Sequence, residues 1–235
     1  MAIPALVALA GGVLAALWHP SNRARSLIQH FAAGVVLAAL AVELLPEIER
    51  EHAPGLVLAA SFALGSLFMF GLKLVTERLE KREGAHAEKG AGLAPGLVLA
   101  TFVDVATDGF IIGAGFAAGG ETGPVLAIGL SVELLFLGLA LTSEAPGGGR
   151  IVLLSGGIGA TVLACAAAGK LLLAGASKAT IGGALAFSAA ALLYLVTEEL
   201  LMEAHSGREP ETPVSTLVLF GGFLAFWAVQ LAGKG

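Results

Sequence analysis

The sequence predicts an all-α integral membrane protein. It has eight transmembrane helices, with an inverted repeat of spans 1–3 and 6–8 and with spans 4 and 5 between them. Three observations carry this reading. Of the 235 residues, 57% are hydrophobic and only 13% charged, about half the charged share of an ordinary soluble domain (roughly 25%). The apolar residues come in unbroken runs of about 20, the length a helix needs to cross the hydrocarbon core, and not in the alternating ten-residue runs of a membrane barrel. Glycine is abundant, at 33 residues, and small residues let membrane helices approach closely where no hydrophobic drive pulls them together.

The spans fall at 2–18, 26–46, 54–77, 94–118, 123–143, 151–174, 179–202 and 214–232, each closed by a polar or Gly/Pro break. The first, MAIPALVALAGGVLAALW, has no basic leader and is long enough to be a span instead of a cleaved signal. The longest break, TERLEKREGAHAEKGAG at 76–92, reads as a helix end followed by a mobile loop, with 78–92 as a flexible cytoplasmic segment. The remainder is one polytopic domain over 1–235. Span 2 ends AVELLPE and span 7 ends TEELLMEAH, so both carry Glu-Leu-Leu-x-Glu. Lying five spans apart, the two cross the membrane in opposite directions, as an inverted repeat requires.

Loops 1, 3, 5 and 7 hold nine Lys and Arg, and the other side holds four. The positive-inside rule places the richer side in the cytoplasm and both termini outside, as in a multi-pass protein of the cell's inner (plasma) membrane. The net charge of −5 arises mainly in loops, and no basic patch suggests nucleic acid. The single Cys165 excludes an intrachain disulfide and a cysteine metal cluster.

The informative residues are acids in apolar runs. Asp104 and Asp108 in TFVDVATDGFIIGAGF stand four apart, on one helix face. Glu133 in AIGLSVELLFLGLAL lies equally deep, and Glu43, Glu198 and Glu199 lie toward the ends of spans 2 and 7. A charged acid at a helix centre costs about 2.5–3.5 kcal/mol on insertion scales, and like charges on one face repel. The basic residues sit at span ends, with none expected deep enough to neutralise the acids. The missing partner is then a mobile cation, either a metal ion or protons. Oxygen ligands suit hard or borderline divalent ions. Gly109, Gly113 and Gly129 are expected to let helices 4 and 5 close around the site. His30 and His52, at span edges, read as interfacial, and Trp18 and Trp227 fit an aromatic belt.

These segments resemble the ZIP (Zrt/Irt-like) family of divalent metal transporters over nearly the whole chain. FAAGVVLAALAVELLPE, 31–47, is similar to the family's Phe-x-Ala-Gly…His-Leu-Leu-Pro-Glu segment, with Glu43 in place of His. DVATDG resembles His-Asn-x-Pro-Glu-Gly: Asp104 takes the His, Val105 the Asn, Thr107 the Pro and Asp108 the Glu. In span 5, ELLFLG puts Glu133 at the first ligand position but Leu134 and Leu137 at polar ones. TEELLMEAH resembles Ser-His-Glu-x-x-Pro-Glu-x-His, with Glu198 at the His and Glu199 at the Glu.

The resemblance implies a divalent metal transporter, often a homodimer in the lipid bilayer. In such an elevator, spans 1, 4, 5 and 6 carry the ion past spans 2, 3, 7 and 8. With Val105, Leu134 and Leu137 removing ligands, one metal position is expected, built from Asp104, Asp108 and Glu133. Glu43 and Glu198 or Glu199 would then stand nearby on the static side. Acids in place of histidines shift the expected ion from zinc toward manganese, iron(II) or magnesium. The ion is cargo, and no permanently bound cofactor or catalytic residue is expected. Two alternatives stay open: a proton-coupled transporter of another substrate, and a ZIP-like membrane protein that transports nothing. An intramembrane protease is disfavoured, because Glu203 stands where the glutamic type needs Arg and no Gly-x-Gly-Asp is present.

Overall fold

The computed structural model describes residues 2–17, 21–84, 95–143, 148–200 and 213–233, and among these it is helical throughout, without a strand. Eight rods follow the apolar runs: α1 (Ala2–Leu17), α2 (Asn22–Ala39), α3 (Gly55–Gly84), α4 (Pro95–Ala118), α5 (Thr122–Ser143), α6 (Gly148–Leu172), α7 (Lys178–Leu195) and α8 (Pro213–Gly233). α2 continues through a π turn, Leu40–Leu44, into Leu45–Arg50, and α7 continues into a π turn, Val196–Leu200. Six of the rods, α2, α3, α4, α6, α7 and α8, are long and apolar enough to cross a membrane. The other two contain the shorter apolar helices Ala2–Leu14 and Thr122–Leu137. α3 runs to Gly84, so the start of the expected 78–92 loop is helical; residues 85–92 lie outside the described residues, as do Trp18, His86, Glu203 and His205.

α2, α4 and α7 form the interior, each with 61% of its apolar window buried, against 11% for α3 and 22% for α8. The outer helices turn Leu56, Leu67, Leu153, Leu217 and Leu224 outward. So large an exposed apolar surface is stable where the solvent is hydrocarbon, because each helix satisfies its own backbone polar groups.

The tightest contacts knit α1, α4, α5 and α6 together, pair α2 with α8 and pair α3 with α7. α4 lies on α6, and α1 on both α5 and α6; α2 lies on α8, and α3 on α7. Within each group the contact is backbone against backbone at glycine. A Cβ on Gly113 of α4 would stand 2.5 Å from the Ala166 carbonyl oxygen of α6, and one on Gly11 of α1 would stand 2.5 Å from that of Leu135 on α5. In the two pairs, Gly222 of α8 abuts the Phe31 carbonyl of α2, and Gly65 of α3 abuts the Phe187 carbonyl of α7. Between the groups the contact is made by side chains. Gly129 of α5 faces the Ala39 methyl and the Phe226 ring. A crevice of about 320 Å³, lined by Phe68, Val103, Ala106, Thr107, Phe110 and Phe187, lies where α4 meets α3 and α7, with the Phe110 and Phe187 rings edge-to-face, centroids 6.4 Å apart.

α2 and α7 share one register. Adding 156 to each number carries Ser21 to Ser177, Asn22–Ala39 to Lys178–Leu195 and Leu40–Leu44 to Val196–Leu200. Ser21 and Ser177 are both N-caps, accepting from the backbone N–H three residues on. The same step carries Phe31 to Phe187, the two residues against which α8 and α3 close.

The first π turn has a local cause. Pro46 has no N–H to donate to the Val42 carbonyl, so the ladder loosens there, and Leu45 N–H reaches back five residues to Leu40.

Candidate metal centre

α4 presents three faces, since each residue turns the helix by about 100°. Gly109 and Gly113 face α6, not α5 as the sequence suggested: Gly109 meets Cys165 and Val162. Val103, Thr107 and Phe110 face the crevice toward α3 and α7. The third face carries Asp104, Asp108 and Gly115, and Gly115 packs on Gly123 and Leu126 of α5. Gly115 and Gly123 therefore bring α4 and α5 together, whereas Gly129, expected in that role, faces α2 and α8.

On that third face Asp104, Asp108 and Glu133 converge. Each offers a carboxylate oxygen, and the three oxygens lie within 4.8 Å of one another. Asp108 is fully buried, Glu133 is 2% exposed and Asp104 9%. Oxygens bound to one divalent ion at about 2.1–2.6 Å can lie up to about 4.2–5.2 Å apart across it, so this spacing matches a single-ion cage. Two full charges at this separation repel by about 3 kcal/mol at an effective dielectric of about 20. A divalent cation between them converts that repulsion into attraction. Val105 and Leu134 are fully buried, so the chain positions next to Asp104 and Glu133 add no further oxygen ligands.

The other acids named from the sequence lie elsewhere. Glu43, on the π turn of α2, is buried at 6% exposure. It accepts from Thr122 Oγ1 at 3.0 Å and from Gln230 Nε2. Thr122 opens α5 eleven residues before Glu133, roughly 16 Å away along the helix, so Glu43 is not a member of the cage. Glu198 forms an ion pair with Lys73 of α3. Lys73 and Glu198 lie toward the ends of their apolar stretches, Gly55–Arg78 and Lys178–Glu198, and stay 30% and 37% exposed, so the pair sits where the basic residues were expected. The side chain of Glu199 lies outside the described residues. Glu47 pairs with Arg50 at 3.0 Å. His30, expected at the interface, is buried, its Nδ1 2.8 Å from the Ser26 carbonyl.

Three partners of these acids escaped the sequence reading: Lys73, Thr122 and Gln230. Gln230 carried a signal, as the one strongly polar residue in PVSTLVLFGGFLAFWAVQLAG. Thr122 and Lys73 did not, because each looks like an ordinary span-end residue.

The chain matches no protein-family model and no curated protein.

Proposed function

We propose that this protein is a divergent ZIP-like transporter that carries a divalent cation across the membrane in the Asp104–Asp108–Glu133 cage. The observation that carries the reading is the position of the cage. It is built from two helices of one packing group, α4 and α5. Glu133 also lies one turn from Gly129, on the edge of α5 that meets the α2–α8 pair. A site fixed to one rigid group and bordering another is what alternating access needs.

The proposed movement is of the elevator type. The α1, α4, α5 and α6 group is knitted by glycine backbone contacts. It meets α2 and α8 through side chains, and α3 and α7 around a crevice. The shared register of α2 and α7, with matched caps and π turns, supports an eight-span inverted repeat. All-oxygen ligation favours manganese or iron(II) over zinc.

Each carboxylate has one task. Asp108, fully enclosed, supplies the charge hardest to replace. Asp104 and Glu133 close the cage from the turn before it and from the next helix. The ion binds to deprotonated carboxylates, so loading displaces protons.

Purified protein in liposomes tests the reading. The wild type is expected to take up manganese and iron(II), and Asp108→Asn to lose at least about ten-fold of the rate while keeping the wild-type elution profile. Equal uptake by the variant, or none by the wild type for any divalent ion, would defeat the proposal.

A further inference from the structure

Glu43 is a buried carboxylate outside the cage, and its two oxygens are held by helices of different groups. Thr122 Oγ1, at the first turn of α5, donates to Oε1 at 3.0 Å. Gln230 Nε2, near the end of α8, donates to Oε2 and lies 3.5 Å from the Val42 carbonyl that Pro46 leaves without its helical donor. All three side chains are deeply buried: Glu43 at 6%, Thr122 at 1% and Gln230 at 8% exposure. α2 and α8 are already locked at Gly34 and Gly222, so the bond from Gln230 stays inside one group. The bond from Thr122 crosses to another.

The surroundings of that crossing bond give it a mechanical meaning. Thr122, Gly129 and Glu133 lie on one stripe of α5, spaced by seven and four residues. Thr122 meets Glu43 and Gly129 meets Ala39, so the stripe runs along the α2 face that bears Ala39 and Glu43. Ala32, Val35 and Val36, buried on the same side of α2 as Ala39, are small and apolar. The polar tie between this face and α5 is the bond by which Glu43 takes the Thr122 hydroxyl.

We propose that Glu43 is a latch that holds the α1, α4, α5 and α6 group in one position against α2 and α8. Displacement of that group requires the Glu43–Thr122 bond to break. The proposal rests on the elevator reading for its consequence in transport, but the latch is a property of the resting protein and can be tested without flux.

Spin labels at Ile128 of α5 and Leu224 of α8, 44% and 58% exposed, would be introduced in a Cys165→Ala background. Their separation would be measured in liposomes by pulsed electron resonance. The wild type is expected to show one dominant distance. Thr122→Val, nearly isosteric but without the hydroxyl, should raise the share of a second distance about ten-fold, the order expected for losing a hydrogen bond to a charged acceptor. Thr122→Ser should restore the wild-type distribution. If Thr122→Val does not fold, Gln230→Leu, which frees one Glu43 oxygen and loosens its position, should give the same shift in smaller measure. A distribution in Thr122→Val identical to the wild type overturns the latch, whether or not the protein takes up metal. A wild type that takes up no metal while Thr122→Val still shifts the distances overturns the transport reading and leaves the latch standing.

Discussion

Lys73 of α3 and Glu198 of the π turn after α7 form an ion pair near the ends of their apolar stretches. It joins two helices that also touch backbone to backbone at Gly65 and Phe187. The side chains keep 30% and 37% of their surface, so the pair is worth less than a fully buried one. Without the lysine, Glu198 remains partly solvated, so the loss is modest. We expect Lys73→Met to lower stability by up to about 1 kcal/mol, read as a drop of up to a few degrees in melting temperature in detergent. The double variant Lys73→Met, Glu198→Gln should recover part of that loss. Additive losses would show that the two residues do not interact.

Clustered carboxylates bind metal only when deprotonated, which sets the sign of the pH dependence. Manganese binding is expected to weaken as pH falls, because protons compete for the same oxygens. Titration calorimetry in two buffers of different ionisation heat would show proton release on binding. Glu133→Gln should reduce the number of protons released, and an affinity independent of pH would exclude the cage as the binding site.

Removing metal should destabilise the protein. A ligand at about one hundred times its dissociation constant adds about 2.7 kcal/mol, which for a chain of this length moves the melting temperature by roughly 5–10 °C. Chelator is therefore expected to lower the melting temperature of the wild type and to leave Asp108→Asn nearly unmoved. Equal shifts in both proteins would place the metal elsewhere.

Two glycines make a matched test of the packing. At Gly113 a side chain has no room between α4 and the Ala166 and Lys170 backbone of α6, so Gly113→Val should cost about 1–3 kcal/mol or more from overpacking. At Gly156 of α6 an added Cβ meets nothing within 4 Å, so Gly156→Ala should be neutral or stabilise by up to about 1 kcal/mol. Thermal unfolding of the two variants side by side reads the difference.

Much of the cage was legible from the chain. Asp104 and Asp108 four apart fix a common face through helical periodicity alone, and Glu133 was visible as a lone acid in an apolar run. Their meeting could be anticipated because α4 and α5 are joined by a short turn at 119–121. The contacts of Gly109, Gly113 and Gly129 were misassigned for a plain reason. Helical spacing tells which residues share a face, but it does not tell which neighbour that face meets. Glu43 and Glu198 were set beside the cage on the strength of the family resemblance, yet a carboxylate in lipid takes whatever donor the packing supplies. Here the donors are Thr122 and Gln230 in one case and Lys73 in the other.

The sequence by itself determined the helices and their solvent. Unbroken apolar runs separated by polar breaks have no other stable form in a bilayer, and acids at i and i+4 share a face whatever surrounds them. Tertiary structure alone decided which helices belong together. That α1, α4, α5 and α6 knit together, that α2 pairs with α8 and that α3 pairs with α7 depends on where glycine lets one backbone reach another, a property of matched surfaces that no single segment contains. The same packing decided the fates of the acids. Asp104, Asp108 and Glu133 converge because Gly115 and Gly123 draw α4 and α5 together, while Glu43 is drawn to α5's first turn and Glu198 to α3. Charge burial is decided by the groups that arrive from elsewhere in the chain, and only the folded arrangement says which those are.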